Sequence, residues 1–268
     1  MRPSAARRYA EGVAEKIRLG GMALRNGVLV HGPTAWACAV RLPDGSVKVT
    51  AERKRLRSAG ITNPLLRGPA RLLEALAVVP TAKRRLPEAK LPFEQPGILA
   101  SMLASAAAVR VVRGSRITPA AQELAAGLLA LTPALLALRS RDLAAYHGAE
   151  HISIGTYEHD EPRAKEHERC GSHLIGPMIA TTAVANTIAS RAPARYRGGA
   201  RIAASIGAIA ASTELFGWMV RNPDRKLARA LAKPGHELQH RIATAEPTAD
   251  QVEVAEAALR ACIELEET

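Results

Sequence analysis

Four apolar runs constrain this chain more than anything else in it: "GILASMLASAAAVRVV" (97–112), "LAAGLLALTPALLAL" (124–138), "LIGPMIATTAVANTIAS" (174–190) and "IAASIGAIAASTELFGWMV" (202–220). Each has the length and alanine content of a helix, and each needs an apolar partner. Aromatic residues are only 3% of the chain, so that partner surface is built from Ala, Leu, Ile and Val, whose small side chains let helices approach closely. A helix that crosses a bilayer wants about 20 consecutive apolar residues. By that count all four fall short: Arg110 breaks the first, the second is brief and holds Pro133, the third is polar for a span, and Glu214 interrupts the fourth. A mean hydropathy of −0.04 points the same way. The runs therefore predict buried helices of a cytoplasmic or membrane-associated protein, with an integral membrane protein as the rival.

The rest of the chain predicts a mainly helical α+β fold. Residues 1–18 look like a short amphipathic helix; the start is basic but has no apolar signal core, so no secretory signal is expected. "AWACAVRLPDGSVKVTAERKR" reads as a β hairpin around a Pro-Asp-Gly turn. Residues 1–60 are thus expected to form a small β-rich segment packed on an Ala-rich helical domain at 61–268. "PTAKRRLPEAKLPFEQPG" (80–97) reads as a loop, and "TADQVEVAEAALRACIELEE" as an amphipathic helix with Thr and Asp as cap candidates.

The net charge is +12, from 37 Lys and Arg against 25 Asp and Glu. Such an excess suits an anionic membrane surface, a nucleic acid or an acidic substrate. Nucleic acid is disfavoured. The best basic cluster, with Arg53, Lys54, Arg55 and Arg57, contains no aromatic for base stacking, and no helix-turn-helix or zinc-finger pattern occurs. Three widely spaced cysteines, Cys38, Cys170 and Cys262, form no disulfide framework.

Against this plain background, residues 144–173, "AAYHGAEHISIGTYEHDEPRAKEHERCGSH", collect five of the eight histidines. His147 and His151 are four apart, one helical turn, so both rings project from one face and can reach one ion at about 2.0–2.1 Å. Glu150 lies beside that face. This H-x-x-E-H order is that of inverted zinc peptidases, in which the carboxylate is the base of a metal-assisted hydrolysis. A third ligand is within reach in Glu158, His167 or Cys170, and Tyr146 is a candidate donor to a developing oxyanion. A closed set of four protein ligands would instead make the site structural. "HELQH" (His236–His240) matches the forward zincin order H-E-x-x-H, but no third ligand is obvious near it. His31 is a possible remote ligand.

Four stretches, "GGMALRNGVLVHGP", "YHGAEH…YE", "HERCGSH" and "KPGHELQHRIATAEPTADQVEVAEAAL", together resemble the YqhQ-like family, a domain-of-unknown-function group described as predicted metal-dependent enzymes. The resemblance spans about residues 19–264. Tyr146 to His151, Tyr157, Glu158, His167, Arg169, Cys170 and Gly171 match its blocks, with Glu168 where the family has proline. Met22, Asn26 and His31 replace its usual Gln, Glu and Arg, and histidine is not its usual residue at 236 or 240. The resemblance implies membrane helices where this chain has its Ala-rich runs. The resulting expectation is a metal-dependent hydrolase, zinc most of all, acting on a peptide or ester bond. The alternative is a non-catalytic, metal-stabilised scaffold that meets a membrane surface or a protein partner.

Overall fold

The computed structural model describes residues 16–268; most of the helix expected over 1–18 lies outside the described residues. Four strands, β1 (Gly20–Leu24), β2 (Gly27–His31), β3 (Ala35–Arg41) and β4 (Val47–Arg53), form an antiparallel meander in chain order. The helices are α1 (Pro64–Arg85), α2 (Pro96–Gly114), α3 (Pro119–Leu138), α4 (Arg141–His159), α5 (Ile175–Ser190), α6 (Arg197–Arg221), α7 (Lys226–Leu238) and α8 (Ala249–Glu267). The fold is α+β and mainly α-helical, a small sheet on a helical body, as expected.

The expected hairpin is β3–β4. At its turn Gly45 takes φ 85°, and the Asp44 carboxylate accepts from the Ser46 N–H and hydroxyl. A second hairpin, β1–β2, was not anticipated. Its five-residue strands are punctuated by glycine and carry little pattern, but Asn26 anchors the turn from outside the sheet. The Asn26 amide donates to the Arg41 and Glu88 carbonyls and accepts the Lys90 N–H.

Strand alternation gives the sheet two apolar faces. Ala23, Val28, Val30, Ala37 and Ala39 meet Tyr146, Ala149, Val254, Ala258 and Cys262 of α4 and α8. Leu24, Leu29, Trp36, Cys38 and Val40 meet Val78, Ala82 and Leu86 along α1. That second contact explains why α1 runs on through Pro80 to Arg85, where a loop was expected. The apolar face at Val78, Ala82 and Leu86 is held against the sheet, and Asn63 caps the helix start by accepting the Leu65 N–H. Lys54, counted in the basic cluster, turns inward to pair with the buried Glu74 of α1 at 2.5 Å.

The apolar runs overturn the expectation of buried helices. Three stretches, Pro96–Gly114, Ala121–Leu138 and Ala194–Arg221, are long and apolar enough to cross a membrane, and only 0%, 11% and 22% of their windows are buried. Counting uninterrupted residues misjudged them. The charges lie near helix ends or are paired, as Glu214 is with Arg67 of α1. The helices form two antiparallel hairpins, α2–α3 and α5–α6. Polar side chains tie them internally. Pro133 cannot donate to the carbonyl four residues earlier, and Ser105 of α2 donates its hydroxyl to that Leu129 carbonyl at 2.5 Å. Thr181 of α5 likewise donates to the Ala208 carbonyl of α6 at 3.1 Å.

Candidate metal centre

α3 ends at Leu138 and α4 begins at Arg141, so the histidine helix starts where an apolar hairpin stops. One helical turn apart on α4, His147 and His151 have ring centroids 4.3 Å apart. Each ring is oriented by a backbone carbonyl: His147 Nδ1 lies 2.7 Å from the Ala243 oxygen and His151 Nδ1 2.6 Å from the Lys165 oxygen. A carbonyl only accepts, so both Nδ1 atoms carry hydrogen and both Nε2 atoms keep a lone pair, the arrangement found in metal-ligating histidines. The loop after α4 brings Cys170 Sγ to 3.6 Å from His147 Nε2. Tetrahedral zinc would place nitrogen and sulfur ligands roughly 3.6 Å apart. The donor atoms of His147, His151 and Cys170 all lie within 4.8 Å of one another.

Burial sets the charge states. His151 is pushed down to about 3 by burial, with His147 adding to the effect, so it is neutral and able to ligate. Cys170 is pushed up by burial, which makes it a poor thiolate unless a cation is present. Glu150, 6% exposed, rises to about 7, again through burial, with His147 opposing and Cys170 reinforcing. Its Oε2 is buried and has no hydrogen-bond partner among the described residues. Two imidazole nitrogens and a thiol, with a buried and partnerless carboxylate oxygen beside them, are a set that a divalent cation fits.

Two glycines make room. A Cβ on Gly21 of β1 would fall 2.5 Å from Glu150 Oε1, and a Cβ on Gly148 would overlap the Ala245 carbonyl oxygen. The bare Gly148 lets the chain after α7 cross α4 closely, where the Ala245 N–H donates to the Ala144 carbonyl at 2.9 Å. That chain enters through a π-helical turn, Gln239–Ala243, which aims the Ala243 carbonyl at His147. The fully buried Gln239 braces the opposite loop, accepting the His167 N–H and donating to Ser172 Oγ at 2.7 Å.

A family described as "Protein of unknown function (DUF1385)" matches residues 128–265, just over half of the chain. The chain belongs to this family. No curated protein and no solved structure matches it. The DUF1385 segment contains His147, Glu150, His151 and Cys170 with both orienting carbonyls, while Gly21 reaches the site from the sheet outside it.

The other residues picked from sequence go elsewhere. His167 lines the same cavity, but its Nδ1 accepts the Arg169 N–H and its Nε2 lies 3.2 Å from Glu158 Oε2. Glu158 is also ion-paired with Arg169, outside the His147–His151–Cys170 group. Tyr146 is buried in the core between α4 and the sheet and does not line the cavity. His236 and His240 stack at 6.3 Å on the outside of the molecule, with Glu237 bound to Arg241 and His240 to Glu166. The supports that sequence reading missed are carbonyls of Lys165 and Ala243, which any residue type supplies, and Gln239. Gly148, inside the quoted motif, was the one visible signal of a close backbone crossing.

Proposed function

We propose that this DUF1385 member is a metal-dependent hydrolase working at a membrane surface, with zinc as its ion. The observation that carries the reading is the convergence of His147 Nε2, His151 Nε2 and Cys170 Sγ beside the partnerless Glu150 oxygen. A mixed nitrogen and sulfur set suits zinc. Three protein donors leave a position for water or substrate, the pattern of catalytic rather than structural sites. His167, the natural fourth ligand, has both ring nitrogens engaged. A bound zinc supplies Lewis-acid activation of water and carbonyl groups. Glu150 is the group that takes and returns the proton, and burial raises it to about 7, where both its forms are accessible near neutral pH.

The membrane part rests on the two hairpins. At 1.5 Å per residue a 20-residue helix rises about 30 Å, the thickness of a bilayer core. α2 starts, α3 ends, α5 starts and α6 ends on the side that carries the sheet and the metal centre. After α6 the exposed Arg221, Arg225, Lys226, Arg229 and Lys233 form a basic stretch suited to anionic headgroups.

Elemental analysis of the full chain, purified gently and without chelator, is expected to find about one divalent ion per chain. A metal-free wild-type protein overturns the reading. Membranes washed with alkaline carbonate are expected to retain the chain; release into the supernatant rejects spanning hairpins and leaves surface association.

A further inference from the structure

The metal centre opens into a cavity of about 530 Å³ whose lining mixes polar ligand-type side chains with apolar ones. His147, Glu150, His151, Arg169 and Cys170 are among its polar lining residues. The cavity is also lined by Leu131, Ala134, Leu135, Leu138, Ile154 and Ile175, six residues with no polar side-chain atom. Four of them belong to α3, one of the helices apolar enough to span a bilayer.

On that helix Leu124, Leu128, Leu131, Leu135 and Leu138 follow one another at steps of four and three, which puts all five on one face. Leu131, Leu135 and Leu138 lie inside the cavity. Leu124 and Leu128 continue the same stripe outside it, 53% and 57% exposed. One unbroken leucine track therefore runs from a surface with the composition of a membrane face to the metal ligands, rising roughly 21 Å at 1.5 Å per residue.

We infer that the cavity takes a membrane amphiphile, with its polar head at His147, His151 and Cys170 and its acyl chain along the leucine track of α3. This rests on the hydrolase reading and names its substrate class. The chemistry of the wall selects against the other class that an H-x-x-E-H site suggests. A polypeptide laid on it would leave backbone N–H and C=O groups desolvated and unpaired, whereas an acyl chain asks only for apolar contact. The cavity is too small for a whole lipid. It holds the head and the first part of the chain, and the remainder lies along Leu128 and Leu124 in contact with the bilayer.

The test uses the full-length protein in phosphatidylcholine vesicles with palmitic acid that carries a photoactivatable diazirine near its methyl end. Cross-links mapped by mass spectrometry are expected to concentrate between residues 124 and 138. Leu135→Trp, which fills the track, should lower them at least about tenfold while the metal content stays at the wild-type level. Leu124→Asn, at the exposed mouth where folding is not at stake, should lower them as well. Labelling spread evenly over the exposed faces of α2, α5 and α6, and unchanged in both variants, overturns the proposal. The two readings fail separately. A wild-type chain that holds metal but shows no excess labelling on α3 rejects the amphiphile and returns an extended polypeptide as the substrate class. A metal-free chain labelled on α3 rejects the hydrolase and keeps the lipid track.

Discussion

Two pairs of histidines in this molecule share the same spacing and a glutamate within it, yet they end in opposite surroundings. At 147–151 the rings are tilted at 58° to each other, held by the Ala243 and Lys165 carbonyls, and faced by Cys170. At 236–240 the rings are near parallel at 12°, exposed, and their glutamate is spent on an arginine. Helical spacing brings two donors to one face; it does not desolvate them, fix their tautomers or supply a third donor. Those three conditions come from chain crossings: the first pair is covered by the loop after α4 and the turn after α7, whereas His240 lies on the exposed side of that same turn, where it meets Glu166.

The largest test of that contrast is all-or-none. His147→Ala with His151→Ala should abolish the bound ion, while His236→Ala with His240→Ala should leave it in full, both read by elemental analysis. Equal loss from both double variants would erase the distinction. A smaller effect is expected from Gly148→Ala. The added methyl pushes the Ala245 carbonyl off α4 and loosens the Ala243 carbonyl on His147. Metal affinity, measured by chelator competition, should fall about 10–100-fold, as for other changes behind a ligating histidine. An unchanged affinity would detach the crossing chain from the metal centre. The smallest effect belongs to Glu150→Gln, which should keep the ion at wild-type stoichiometry because Glu150 lies beside the donor triangle rather than in it. Loss of the ion there would make Glu150 a ligand and not the proton-moving group.

The site was legible in part. His147, Glu150 and His151 follow from helical periodicity alone, since four residues make about one turn. Cys170 was legible only as one of three choices with Glu158 and His167. What separated them was pairing across the loop: Glu158 and His167 bond to each other, and Arg169 engages both, Glu158 with its guanidinium and His167 with its backbone N–H. The Ala243 and Lys165 carbonyls were illegible in principle, because every residue carries one. In the fold, the β3–β4 hairpin announced itself through its turn, whereas β1–β2 depended on Asn26 bridging to residues 41, 88 and 90. In the sequence the apolar runs look too broken to span, because Arg110 and Glu214 interrupt them. An ion pair from α1 neutralises Glu214, and Arg110 lies in the last turns of α2, close enough to the helix end to reach an interface.

By itself the sequence determined the strongly periodic features: most of the helices, the β3–β4 hairpin, and that two imidazoles and a carboxylate share one turn of α4. Those follow from local geometry, which a few neighbouring residues dictate. Only the tertiary structure decided that Cys170 closes the group, that Gly148 admits a crossing chain, that the second histidine pair stays outside, and that one leucine track of α3 is half exposed and half cavity wall. Each of these depends on groups distant in the chain coming within a few ångströms, and short-range periodicity carries no record of such meetings.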